Sequence, residues 1–233
     1  MKGKTSMIVG ITGGMGSGQT TLAKFLEEQG AKIIYADLIA HRIADSDAEV
    51  RKQLSAAFGR QIYTRYGKLK RKVLGKIVFN DENRLRLLNR VVHPPMVGQI
   101  VEEIEKAKET GNYAVIGIDA ALIFEANIEK MFDAIVVVVS KMSNRILRIK
   151  NRDDLPQRKI MERIRTQIPI DEKAKWADFV IQNDDDLISL KSKAKVLYKQ
   201  LSGRERHAPK NYARNSKNIK TSRRNNRNND TAY

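Results

Sequence analysis

The sequence predicts an α/β fold built on a parallel sheet. Three observations carry that expectation. Short, almost wholly apolar runs recur along the chain, at Met7–Thr12, Ala31–Tyr35, Tyr113–Asp119, Ala134–Val139 and Phe179–Gln182. Segments with apolar residues at helical spacing separate them. The first of these intervals runs strand, glycine loop, helix, strand, a unit that needs a parallel pair and a crossover.

Met7–Thr12 (MIVGIT) reads as a buried strand ending in glycines, and Thr20–Gln29 follows as a helix with Leu22, Phe25 and Leu26 on one face. Ala31–Tyr35 is the second strand. From Asp37 to about Gly111 the chain reads as a helical insertion, with candidates at Asp47–Phe58, Arg71–Phe79 and a short helix behind Asp81 as cap. His93-Pro94-Pro95 predicts a break, because proline lacks the amide hydrogen and crowds the preceding turn. Beyond it Val97, Ile100, Val101 and Ile104 resume a helical stripe. After the strands at 113–119 and 134–139, Met142–Arg152 and Gln157–Gln167 read as basic helices. Phe179–Gln182 is a last short strand, and Leu187–Leu201 closes the fold as a helix. Trp176 reads as a packing residue.

Composition narrows the class. The 233 residues include no cysteine, which excludes disulfides, thiolate metal sites and a thiol nucleophile and fits a reducing cytosol. No apolar stretch long enough for a membrane span is visible, and the start lacks the pattern of a secretion signal. A cytoplasmic protein is expected. Net charge is +17, which suits anionic partners without choosing among them. From Gly203 onward nine Lys or Arg stand against Glu205 and Asp230, a net +7 in a segment too polar to bury a core. That tail is expected to be disordered.

Gly13-Gly14-Met15-Gly16-Ser17-Gly18-Gln19-Thr20 matches the phosphate-loop pattern of six spaced residues, lysine and Ser/Thr at every place except the lysine. Glycines let the backbone amides converge on phosphate oxygens, and the helix start adds its own donors. Thr20 is expected to hold Mg2+ beside bound ATP. Gln19 stands where a lysine would reach the β- and γ-phosphates. It keeps a donor and loses the charge.

Further segments in order resemble the dephospho-coenzyme A kinase family: VGITGGMGSG, ADLIAHR, YGKLKR with Leu74 and Phe79, VVHPPM, IDAALIFE, the arginine segment Arg148–Asp153, Arg163–Gln167, and ADFVIQN. The resemblance spans Met7 to Leu201. It implies a P-loop NTPase three-layer fold with a parallel sheet, a helical substrate insertion and a helical lid. It also implies transfer of the ATP γ-phosphoryl group to the ribose 3′-hydroxyl of dephospho-CoA. On this reading residues 1–37, 112–144 and 168–202 form the nucleotide core, 38–111 the substrate unit, 145–167 the lid and 203–233 the basic tail.

Asp37, just past the second strand, is expected to face the acceptor hydroxyl as base or orienter, with capping of the following helix as its other role. His41 and Arg42 follow on the substrate side. His93 is a substrate-side candidate that could instead pin a turn. Asp119, ending its strand, is a candidate for the metal-bound water. Arg148 and Arg152, four apart on one helix face, are expected to reach the β- and γ-phosphates, and Arg163 is a weaker candidate of the same kind. Asn183 lies where the family approaches adenine, and Glu125 is read as a cap or substrate contact. Two other readings stay open: a nucleotide- or CoA-binding protein weakened by Gln19, and a nucleic-acid-associated NTPase working through the basic tail.

Overall fold

The computed structural model describes residues 6–78, 81–153 and 155–203. Five strands form one sheet: β1 (Met7–Gly13), β2 (Lys32–Tyr35), β3 (Val115–Asp119), β4 (Ala134–Val139) and β5 (Phe179–Gln182). Every pairing is parallel and the order is β2-β3-β1-β4-β5. The three inner strands are buried almost throughout, which is why they read as unbroken apolar runs. The predicted Tyr113–Asp119 strand begins two residues late, at Val115.

Alternation along β1 splits the core between the two faces. Val9 and Ile11 pack with Val136 and Val138 under Leu22, Ala23 and Leu26 of α1 (Gln19–Glu28). On the opposite face Ile8, Ile116, Ile118 and Val137 lie under the helices that join β2 to β3. These are α2 (Ala36–Ser46), α3 (Ala48–Phe58), α4 (Arg71–Val78) and α5 (Glu82–Glu109). Asp47 caps α3 by accepting from the Val50 amide at 2.9 Å, and Asp81 caps α5 by accepting from the Asn83 and Arg84 amides.

The expected break at Pro94-Pro95 does not occur. α5 is one helix of 28 residues with both prolines inside it. Two consecutive prolines withdraw two helical donors. Val92, Met96, Ile100, Ile104 and Ala107 are buried along the same helix, on both sides of the gap, and that tertiary packing outweighs the local cost. His93 therefore pins no turn. It is half-buried in mid-helix, and burial pushes its imidazole pKa below the usual value.

After β4 come α6 (Met142–Asp153), α7 (Gln157–Arg165) and α8 (Ile170–Lys175), the last of which the sequence reading did not anticipate. α9 (Leu187–Ser202) follows β5 and lays Leu190, Ala194, Leu197 and Leu201 on the face that carries α1. Trp176 meets Phe124 edge to face, with ring centroids 5.2 Å apart. No described helix is long and apolar enough to cross a membrane. Phe79, the start of the chain before Ser6 and the basic tail from Arg204 lie outside the described residues.

The register brings the carboxyl ends of the strands together. Ile11 and Tyr35 both pair with Asp119. The chain leaves β1 toward β2 on one side, while β4 lies on the other. The sheet thus has its switch point beside β1, at the edge where open α/β sheets bind ligands.

Candidate active site

Between the end of β1 and the start of α1 the chain makes a tight glycine loop. Gly16 and Gly18 have φ of 78° and 91°, and a Cβ on Gly18 would stand 2.1 Å from Asn183 Nδ2. The loop's carbonyls are held from outside. Arg145 Nε donates to the Met15 carbonyl at 2.9 Å, Arg148 Nη1 donates to Gly16 and Ser17 carbonyls at 3.4 Å, and Asn183 Nδ2 donates to the Ser17 carbonyl at 2.7 Å. C=O and N–H point opposite ways across a planar trans peptide. Carbonyls turned out at Met15 and Ser17 therefore turn the amides of Gly16 and Gly18 in. Gln19 and Thr20 add the free donors of the α1 N-terminus. Ser17 Oγ is buried here without a hydrogen-bond partner. This donor set fits a polyphosphate.

Beside the cradle stands Asp119, almost wholly buried at the end of β3. Gln19 Nε2 donates to its Oδ1, and the Thr20 side chain bonds to it as well. Burial raises the Asp119 pKa above the usual carboxylate value and the charge of Asp37 adds to this, while the bonds from Thr20 and Gln19 pull it back. Asp37 lies in the first turn of α2. It is not the cap: Tyr35 occupies that position and no side chain caps the helix. Its carboxylate forms no hydrogen bond or ion pair with another described residue. It reaches solvent, yet the surrounding protein mass raises its pKa by desolvation, opposed by the charge of His41 one turn on. Tyr35 next to Asp37 is pushed up to about 12 by burial and by its bond to Glu27.

The remaining candidates divide. Arg148 and Asn183 touch the phosphate loop, but from behind: Arg148 Nη2 also donates to the Asn183 carbonyl at 2.9 Å and Nη1 to Ser140 Oγ at 3.2 Å. Arg152 is held by Asp153 at 2.6 and 2.9 Å, and Asp153 also faces Arg163 Nη1 at 3.6 Å. Arg42 pairs with Glu103 at 3.0 Å, while His41 is exposed and offers its carbonyl to Arg71. Glu125 is tied inward. It accepts from the fully buried Lys173 at 2.9 Å and from the Ile168 amide at 2.9 Å. Two residues of the site escaped the sequence reading. Gln167 Oε1 accepts from the Met15 amide at 2.9 Å, clamping the loop to the segment after α7. Arg145 belongs to a helix whose basic residues suggest a solvated face, yet it is buried against Gly14 and Met15.

A parallel sheet with its switch point at a glycine cradle, and a carboxylate bonded to the residues that open the next helix, defines a P-loop phosphotransferase. The family model of dephospho-CoA kinase matches residues 7–189. The dephospho-CoA kinase of Salinibacter ruber is 36% identical over 195 residues, 84% of this chain and 98% of that protein. That of Listeria monocytogenes is 35% identical over 185 residues, 79% of this chain and 90% of the relative. A solved Thermus thermophilus protein superposes with a TM-score of 0.72 at 30% identity, covering 86% of this chain and all of that one. The dephospho-CoA kinase of Campylobacter jejuni gives 0.62 at 28% identity, over 84% and 96%. The chain belongs to the dephospho-CoA kinase family, and it is a kinase.

Proposed function

We propose that this chain transfers the γ-phosphoryl group of ATP to the ribose 3′-hydroxyl of dephospho-CoA, the last step of coenzyme A synthesis, acting in the cytoplasm. The observation that carries the reading is the meeting of Asp119 with Gln19 and Thr20 at the carboxyl edge of the sheet, within the field of Asp37. Family membership supplies the substrate class.

On this reading the inward amides of Gly16, Gly18, Gln19 and Thr20 bind the phosphates. Asp37 takes the hydroxyl proton as the new O–P bond forms and the bond to ADP breaks. Its raised pKa suits that task, since a desolvated carboxylate is a stronger base. Thr20 and Asp119 fit a hard cation with few protein oxygens, and Mg2+ held there would neutralise charge on the β- and γ-oxygens. Residues 38–111 serve as the substrate unit and 145–167 as the lid. Within the lid, Arg148 acts on the loop backbone, and Arg152 is available to phosphate on release from Asp153. A coupled ADP-release assay with dephospho-CoA tests the proposal. ADP formation that depends on dephospho-CoA is expected, and its absence at millimolar substrates would sink the reading.

A further inference from the structure

Arg145 has an environment that a structural arginine rarely tolerates. Its side chain is 4% exposed, and no carboxylate among the described residues comes within ion-pair distance of it. Asp171 acts on it only through its field, and desolvation lowers the guanidinium pKa. Removing an unpaired charge from water is costly, so buried arginines almost always sit on an anion. One protein contact is specific: Nε donates to the Met15 carbonyl. The Nη end lies against the phosphate loop, with Nη2 only 2.6 Å from where a Cβ on Gly14 would stand. Glycine at 14 is what makes room for the guanidinium.

The same loop lacks a positive charge where its pattern carries one, at Gln19, and Gln19 is itself engaged with Asp119. Arg148 is spread over the Gly16, Ser17 and Asn183 carbonyls, so without another cation a cradle of neutral amides next to Asp119 would hold a polyphosphate poorly. We infer that Arg145 is the resident cation of the phosphate site, doing from the outer side of the loop what a lysine at 19 would do from within. This rests on the phosphotransferase reading and deepens it. Arg145 turns the Met15 peptide outward through Nε, and its Nη2, packed against Gly14, sets the guanidinium charge across the loop backbone from a bound polyphosphate.

The test is a double-substitution cycle read by calorimetric binding of ATP and of inorganic tripolyphosphate, with melting temperature measured alongside. Arg145→Gln keeps an amide for the Met15 carbonyl and removes the charge. It is expected to weaken both ligands by at least about tenfold, as loss of a positive charge in a poorly solvated site beside the phosphates does. Lys195→Gln, an equal charge loss on exposed α9, should change neither. Arg145→Lys should keep affinity within about threefold, because charge survives while the fork does not.

Adding Gln19→Lys should restore the Arg145→Gln protein by at least about tenfold more than it improves the native chain, since the two cations substitute for one another. Additive effects would overturn the inference, as would an Arg145→Lys variant as weak as Arg145→Gln. Should Arg145→Gln fail to fold, the Arg145→Lys affinity alone decides. The native chain is assayed with dephospho-CoA in parallel. Native turnover with undiminished binding by Arg145→Gln defeats this inference and leaves the kinase reading standing. A native chain that binds neither ligand defeats both.

Discussion

Replacing Asp37 by Asn separates the chemistry from the fold with unusual clarity. The carboxylate makes no hydrogen bond to another described residue, so Asn breaks no protein contact. Three interactions change. The attraction to His41 is lost, but it is the smaller effect, since the Asp37 pKa is raised on balance. The repulsion between Asp37 and Asp119 disappears, and so does the cost of holding a desolvated charge. Because the folded pKa is raised, the folded protein binds this proton more readily than the unfolded chain, and stability falls as pH rises through that window. Asp37→Asn is therefore expected to melt higher than native at neutral pH. The advantage should shrink as pH falls toward the ordinary carboxylate value. Turnover should move the opposite way. A positioned base contributes about 100- to 10,000-fold, or about 3–5 kcal/mol of barrier. ATP affinity should hold or tighten slightly as a negative charge leaves the site. Coupled ADP release, calorimetry and a thermal scan at several pH values measure all three. A folded Asp37→Asn protein with native turnover would refute the base assignment. A lower melting temperature at neutral pH would refute the electrostatic account of the pair.

Gln19→Lys alone should raise turnover about tenfold, roughly 1.4 kcal/mol, and should lower the Asp119 pKa by converting an amide contact into an ion pair. An unchanged rate would show that a lysine at 19 adds nothing to the native site. Mg2+ with ATP should raise the melting temperature through binding to the folded state, and millimolar concentrations without effect would contradict the cradle. Lys173→Met leaves Glu125 partly buried without its cation and should cost about 3–5 kcal/mol; a near-native denaturant midpoint would show that the pair contributes little. Ending the chain at Ser202 should leave fold and kinase step intact, because the tail is polar and charged; loss of folding in the truncated protein would show that the tail docks on the core.

The strands were legible because each is short, apolar and bounded by glycine or polar residues, the pattern that burial on both sheet faces demands of the three inner ones. The cap at Asp81 was legible for the same local reason. Helix α5 was not. Proline chemistry argued for a break, and the counterweight was tertiary: buried residues on either side of Pro94-Pro95 reach a core that no short window reveals. At the site, the glycine loop, Asp37 and Asp119 stood out because their chemistry is tied to strand ends. Arg145 did not, since a basic helix ordinarily presents its charges to water. One signal was available. Arg145, Arg148, Ile149 and Arg152 recur at i, i+3, i+4 and i+7, a single helical stripe. The structure buries Ile149 in that stripe, and Gly16 is packed so closely on it that a Cβ there would lie 2.9 Å from Ile149 Cγ1. A stripe holding a buried Ile cannot be the solvated face. Arg145 and Arg148, in the turn before it, meet the loop carbonyls, while Arg152, at the end of the stripe, is exposed and pairs with Asp153. A buried apolar residue within an arginine stripe is thus a better sign of arginines that face the protein than the number of basic residues in the helix.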